Sequence, residues 1–349
     1  MLFSNVHRVL AQDVSRQRIG RVLGIGLSLG CVALLALRVD WHRFIGDFSG
    51  VAWRPLASAI PLVVLTYALF ALRWRLLLSI EPKPPVMQLF RYLMLGYLAN
   101  VALPMRAGDG LRVVLLRRAC GHGITRAASS IGLERLLDVL TLLAMAFMVA
   151  LYADLPNTIL TGLRAAGIAA AAAVSAVFMI AVRPQIAIAA AGGISRRFAP
   201  RLHDPLMAQA RHFIDAIGVL VPRDRRGSVR VAAAVALGLA GWASYALGMA
   251  LCMASFGVQP AIVASLLLVV VTNLGAAIPS SPASIGVYHA LGVLALSPWH
   301  VRFDLALAAV TATHAVTVGV QVALGMLALA LGRAPSTASA ASALSDRGG

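Results

Sequence analysis

The chain has 349 residues, of which 60 % are hydrophobic and only 12 % charged. A soluble domain carries about 25 % charged residues, so this composition defines an integral membrane protein. The formal charge of +17 comes from 29 Arg and the single Lys83. These residues flank apolar runs instead of forming a soluble basic face, which points to anionic lipid headgroups and membrane topology and away from nucleic acid. Three cysteines exclude a disulfide framework. No zinc-type Cys/His spacing, P-loop or dinucleotide fingerprint occurs, so no metal, cofactor or catalytic group is implied.

Taken in order, the chain opens with a basic segment, 1–19, carrying Arg8, Arg16 and Arg18. The apolar run that follows has no small-residue cleavage site, which predicts a retained first helix over about 20–37. A spanning helix needs about 20 apolar residues. Runs at 56–72, 135–152, 163–182, 231–256 and 304–332 also qualify, giving about six spanning helices. Two further regions, 86–130 and 261–296, are apolar but interrupted. The first break runs from Asn100 through Pro104, Arg106, Gly108, Asp109 and Gly110 to Arg112. The second holds Pro279, Ser280, Ser281, Pro282, Ser284 and Gly286 ahead of Tyr288 and His289. Backbone leaves helical geometry at membrane depth only where protein or a water-filled cavity covers it, and transporters hold substrates at such breaks.

Treating both interrupted regions as re-entrant helical hairpins puts 25 basic residues on the cytoplasmic side and five outside, as the positive-inside rule requires. The expected fold is an all-α polytopic membrane protein in which helix, hairpin and helix recur as an inverted repeat. Residues 1–332 form the transmembrane domain, with both termini and loop 183–230 cytoplasmic. That loop carries a surface helix with Leu206, Ala210, Phe213, Ile214 and Ile217 on one face, either in the interface or packed on the bundle. The Ala/Ser-rich tail 333–349 is expected to be disordered.

Charge inside the apolar runs marks the candidate binding residues. Arg106, Asp109 and Arg112 recur at i, i+3, i+6, so Asp109 pairs with one arginine and leaves the other guanidinium for a phosphate. Glu134, Arg135 and Asp138 open the third helix as an ion-pair or binding cluster. At the second break, Ser281 and Pro282 suit the N-cap and first position of a returning helix. Helix N-termini attract anions, so both returning limbs are expected to aim amides at one anionic group. Thr311, His314, Thr317 and Gln321 form a polar stripe that lipid would reject. The binding set is therefore Asn100, Arg106, Asp109, Arg112, Glu134, Arg135, Asp138, Ser280, Ser281, Tyr288, His289 and His314. The hinge set is Pro104, Gly108, Gly110, Pro279, Pro282 and Gly286.

These same residues carry a resemblance. Asn100-x-x-x-Pro104-x-Arg106-x-Gly108-Asp109-x-x-Arg112, Glu134-Arg135-x-x-Asp138 and Pro279-Ser280-Ser281-Pro282-x-x-Ile285-Gly286-Val287 resemble the motifs of the lysylphosphatidylglycerol synthase transmembrane, or flippase-like, family, which includes a hopanoid-associated branch. The resemblance covers most of 20–332. The family usually has Glu at Asp109, often Gly at Ala283 and often Glu at His289. Its two-domain lysyltransferases carry a soluble aminoacyl-transfer domain; only 17 residues follow 332 here, so that activity is expected to be absent. The resemblance implies a lipid-translocating protein of the bacterial inner membrane, handling an anionic or isoprenoid-type lipid. With no ATP-binding element, movement would be passive or ion-coupled. The rival expectations are a membrane-embedded lipid transferase using Glu134, Asp138 or His289, and a non-transporting partner of an envelope-lipid biosynthesis enzyme.

Overall fold

A computed structural model describes residues 24–78, 83–103, 107–120, 124–198, 200, 203–217, 224–276 and 281–332. Helix α1 (Gly24–Arg38) is followed, after a turn of 87°, by α2 (Trp41–Ser49). The chain continues through α3 (Trp53–Leu77), α4 (Val86–Ala102), α5 (Ala107–Cys120) and α6 (Ile124–Tyr152). Next come α7 (Asn157–Val182), α8 (Pro184–Phe198), α9 (His203–Ile217) and α10 (Arg225–Ser255). The last three are α11 (Ala261–Gly275), α12 (Val287–Leu296) and α13 (Phe303–Gly332). No strand occurs among the described residues.

Four helices among the described residues are long and apolar enough to cross a membrane, or five if the bent α1–α2 pair is one span. They are α3, the part of α6 from Ala127 to Tyr152, α10 and α13. The remaining expected span, 163–182, lies within α7, which packs at the edge on α6, α8 and α9. Loop 183–230 holds two helices where sequence indicated one. Its α9 packs on α6 and buries Ile214, while Leu206 stays exposed. Residues 1–23 and the tail 333–349 lie outside the described residues.

Both interrupted regions are antiparallel helical hairpins. In the first, Gly108 of α5 abuts Gly96 and Asn100 of α4, and further along Arg112 lies against Gly96. In the second, Gly275 of α11 meets Leu291 of α12, and Leu268 meets Gly292. The halves then correspond pair for pair. In the first half α3 packs on α4, α4 on α5, and α5 on α6. In the second α10 packs on α11, α11 on α12, and α12 on α13. The cross-contacts exchange in the same way, since α4 packs on α13 as α11 packs on α6.

The central seam is α3 against α10. Gly238, Gly241 and Gly248 face Arg73, Phe70 and the Ala59–Val63 stretch in that reversed order, so the two helices run antiparallel. A Cβ at Gly241 would stand 2.5 Å from the Phe70 ring, which explains the glycine there. Small residues admit close approach, the ordinary device where helices associate in lipid. An antiparallel pairing of equivalent helices is the relation that an inverted repeat requires.

Candidate functional site

Where the two halves meet, they enclose a cavity of about 400 Å³. Both breaks contribute to its wall: Asn100, Val101 and Leu103 from the first, and Ser281, Ala283 and Ser284 from the second. Arg135 and Asp138 are the charged side chains lining it among the described residues. Opposite them lie His314, Thr317 and Gln321, so this stretch of the α13 polar stripe faces the bundle as expected. Six of the sequence-derived binding residues thus share one space: Asn100, Arg135, Asp138, Ser281, Tyr288 and His314. His289 sits beside them, with its ring 5.0 Å from that of His314.

Behind Arg135 lies a buried charge network. Arg112 forms a two-pronged pair with Glu134, its shorter contact being 2.7 Å. Arg73 meets Asp138 at 2.7 Å and Glu134 at 3.7 Å. Arg135 bridges Asp109 at 2.8 Å and Asp138 at 3.5 Å. Trp242 donates its indole N–H to Asp138 at 2.9 Å. Two guanidinium groups also lie over aromatic rings, Arg73 on Phe70 at 4.7 Å and Arg112 on Trp74 at 4.1 Å. Three arginines face three carboxylates, so this set is neutral. Neutrality and bidentate geometry are what make so buried a cluster tolerable.

This arrangement corrects two sequence expectations. Arg112 is not left free for a phosphate, because Glu134 claims it and burial seals it at 1 % exposure. Arg135, though paired with Asp109 and Asp138, keeps about a third of its side chain exposed. Arg73, one of the 25 basic residues that the charge distribution assigns to the cytoplasmic side, is fully buried inside α3. A signal for it existed in sequence: Glu134 and Asp138 share one helix face at i, i+4, and Arg135 alone cannot neutralise both.

At the two helix N-termini, three amides already have partners within the fold. The Gly108 amide donates to Asn100 Oδ1 at 2.7 Å. At the second break, the Ser281 amide donates to Ser28 Oγ of α1 at 2.8 Å, and the Gly286 amide to His289 Nδ1 at 3.4 Å. Pro282–Ser284 is a single 3₁₀ turn, and the returning helix α12 begins only at Val287, with Gly286 at its N-cap. These three amides are used within the fold. Two hinge glycines are sterically fixed. A Cβ at Gly108 would lie 1.8 Å from the Gly96 carbonyl oxygen. Gly286 has φ +88° and presses on the Ser28 carbonyl. Gly110 faces open space. Arg106, Ser280, Pro104 and Pro279 lie outside the described residues.

Sequence reasoning also passed over the aromatic wall of Phe70, Tyr97, Trp242 and Tyr245. Those residues sit in unbroken apolar helices, where an aromatic looks like packing. Two tyrosines tie the α13 stripe into place: Tyr245 bonds Thr317 at 3.2 Å, and Tyr67, packed on Tyr97, accepts from Gln321 at 2.9 Å.

The fold and cavity define a helical membrane protein with a polar, partly charged chamber at the junction of two inverted halves. The lysylphosphatidylglycerol synthase TM region family model matches residues 21–325, and the chain belongs to this family. No curated protein matches it.

Proposed function

We propose that this protein translocates a lipid bearing a phosphate headgroup, using the cavity as the headgroup site. The observation that carries this reading is the shared wall: both breaks and Arg135 meet at one space between oppositely oriented halves. The Arg135 guanidinium is partly exposed and lines the cavity. Its planar fork suits a phosphate oxygen pair geometrically. Glu134 is fully engaged by Arg112 and Arg73, which favours a binding role for the cluster over general acid–base catalysis.

The membrane is taken as the bacterial inner membrane, with both termini and residues 183–230 cytoplasmic, in line with the distribution of arginines. A cysteine at Ser228 should then resist impermeant labelling from outside intact cells. The main test uses vesicles containing fluorescent phosphatidylglycerol and an external quencher. Purified protein should expose inner-leaflet label to the quencher, and Arg135→Ala should slow that exposure. Wild-type protein that leaves the inner leaflet protected removes the proposal.

A further inference from the structure

Two imidazoles flank the second break. His314 of α13 lines the cavity together with Ala283 and Ser284. His289, at the third position of α12, accepts the N-cap amide of Gly286 through Nδ1. Between these contacts, Ala283 and Ser284 have φ of 53° and 55°. Positive φ is unfavourable for residues with a Cβ and persists only where the surroundings enforce it. The two rings are 5.0 Å apart, and Tyr288 stacks on His314 at 4.3 Å. A lone membrane histidine is commonly a packing residue, but here two converge beside a translocation cavity.

Histidine is the side chain whose charge ordinarily changes between pH 5 and 8. His289 Nδ1 accepts from Gly286 only while it is bare; a proton there turns it into a donor and ends that bond. Proton binding is therefore tied mechanically to the turn that lines the cavity. Charge balance adds an independent argument. The Arg–carboxylate network is already neutral among the described residues, so an anionic headgroup would enter as an uncompensated charge. Apolar surroundings make such a charge costly.

We infer that His289 and His314 are a proton-binding pair, and that one proton enters with each anionic headgroup, making translocation a proton–lipid co-transport. This rests on the lipid-translocation reading above. The groups facing the pair fit the role. Tyr245 of α10, Tyr288 of α12 and Tyr97 of α4 line the cavity, with Tyr67 behind Tyr97, and all are phenols, which are ordinarily neutral at physiological pH. Arg135 and Asp138 are the charged groups on the far wall, and they offset one another. Repulsion between imidazolium rings this close limits the pair to one proton at a time.

Detergent-solubilised protein, weakly buffered near neutral pH with a pH-sensitive dye, is titrated with short-chain phosphatidylglycerol. Uptake of about one proton per bound lipid is expected. Uptake should vanish in a His289→Gln, His314→Gln double variant that still elutes as a folded species. Lipid binding without proton uptake by the wild type overturns the inference and leaves the translocation reading standing; undiminished uptake in the double variant also overturns it. Failure of the lipid to bind at all sinks both. In vesicles with the membrane potential clamped, a pH gradient should drive labelled lipid toward the alkaline side with wild-type protein. The double variant should show no pH-driven drift of label. Drift toward the acid side would replace co-transport by exchange and refute co-entry.

Discussion

The two breaks are alike in position and opposite in construction. The first is fastened by charge: Arg112, Arg73 and Arg135 interlock with Glu134, Asp138 and Asp109 behind it, and Asn100 caps Gly108. The second is fastened by neutral hydrogen bonds, a glycine at positive φ and two strained residues. A buried ion network is hard to open, since each separated charge is left without solvent or partner. Neutral hydrogen bonds of about 1 kcal/mol each can be exchanged one at a time. Under the proposed function, the first half would therefore supply a fixed floor and the second an adjustable gate.

Removing a charge from the floor should have the largest effect. Glu134→Ala strands Arg112 and part of Arg73 in the core, at a cost of about 3–5 kcal/mol. Thermal stability in detergent should fall sharply, and much of the protein should fail to reach the membrane. Crowding the first hairpin comes next. Gly108→Ala drives a methyl into the Gly96 carbonyl and should cost about 1–3 kcal/mol, whereas Gly110→Ala, in open space, should leave the melting temperature nearly unchanged. Equal effects at both glycines would break the account of the hinge.

Arg135→Lys tests recognition with less effect on the fold. The planar fork is lost while the charge remains, and phosphatidylglycerol binding should weaken by about tenfold, or about 1.4 kcal/mol. Full affinity in the lysine variant would show that only charge is read. The smallest effect belongs to the gate. Ser28→Ala deletes the hydroxyl that accepts the Ser281 amide and should cost about 1 kcal/mol. Hydrogen exchange at the second break should rise while that at the first stays put. A matching rise at both breaks would dissolve the distinction between floor and gate.

Sequence located both breaks, both hairpins and the inward face of α13, because Pro, Gly and polar residues in an apolar run have few explanations. It also named Glu134, Arg135 and Asp138 as a cluster. It could not pair them, since Arg73 reaches Asp138 from another helix and pairing depends on how α3 packs on α6. Arg112 and Arg135 look equivalent as letters; only burial separates the locked guanidinium from the available one. The α1 contact was invisible for the same reason, since nothing in Ser28 announces a partner 253 residues away. Helix α2 was missed because nine residues are too short to stand out between two spans.

That short helix has a consequence for the depth of the whole molecule. If α1 crosses the bilayer, the 87° turn would lay α2 along the membrane surface, and Trp41 and, just beyond it, Trp53 are more than half exposed. Indole rings favour the headgroup level, so α2 would then ride as a float at one water line. It is moored to the start of α13: the Asp40 amide donates to Asp304 at 2.8 Å, and Arg302 holds Asp47 at 2.6 Å. Because α13 carries His314 and Thr317, that mooring would set how far the cavity lies below the surface. A thicker or thinner bilayer would pull on the same line, making hydrophobic mismatch a mechanical input to the chamber.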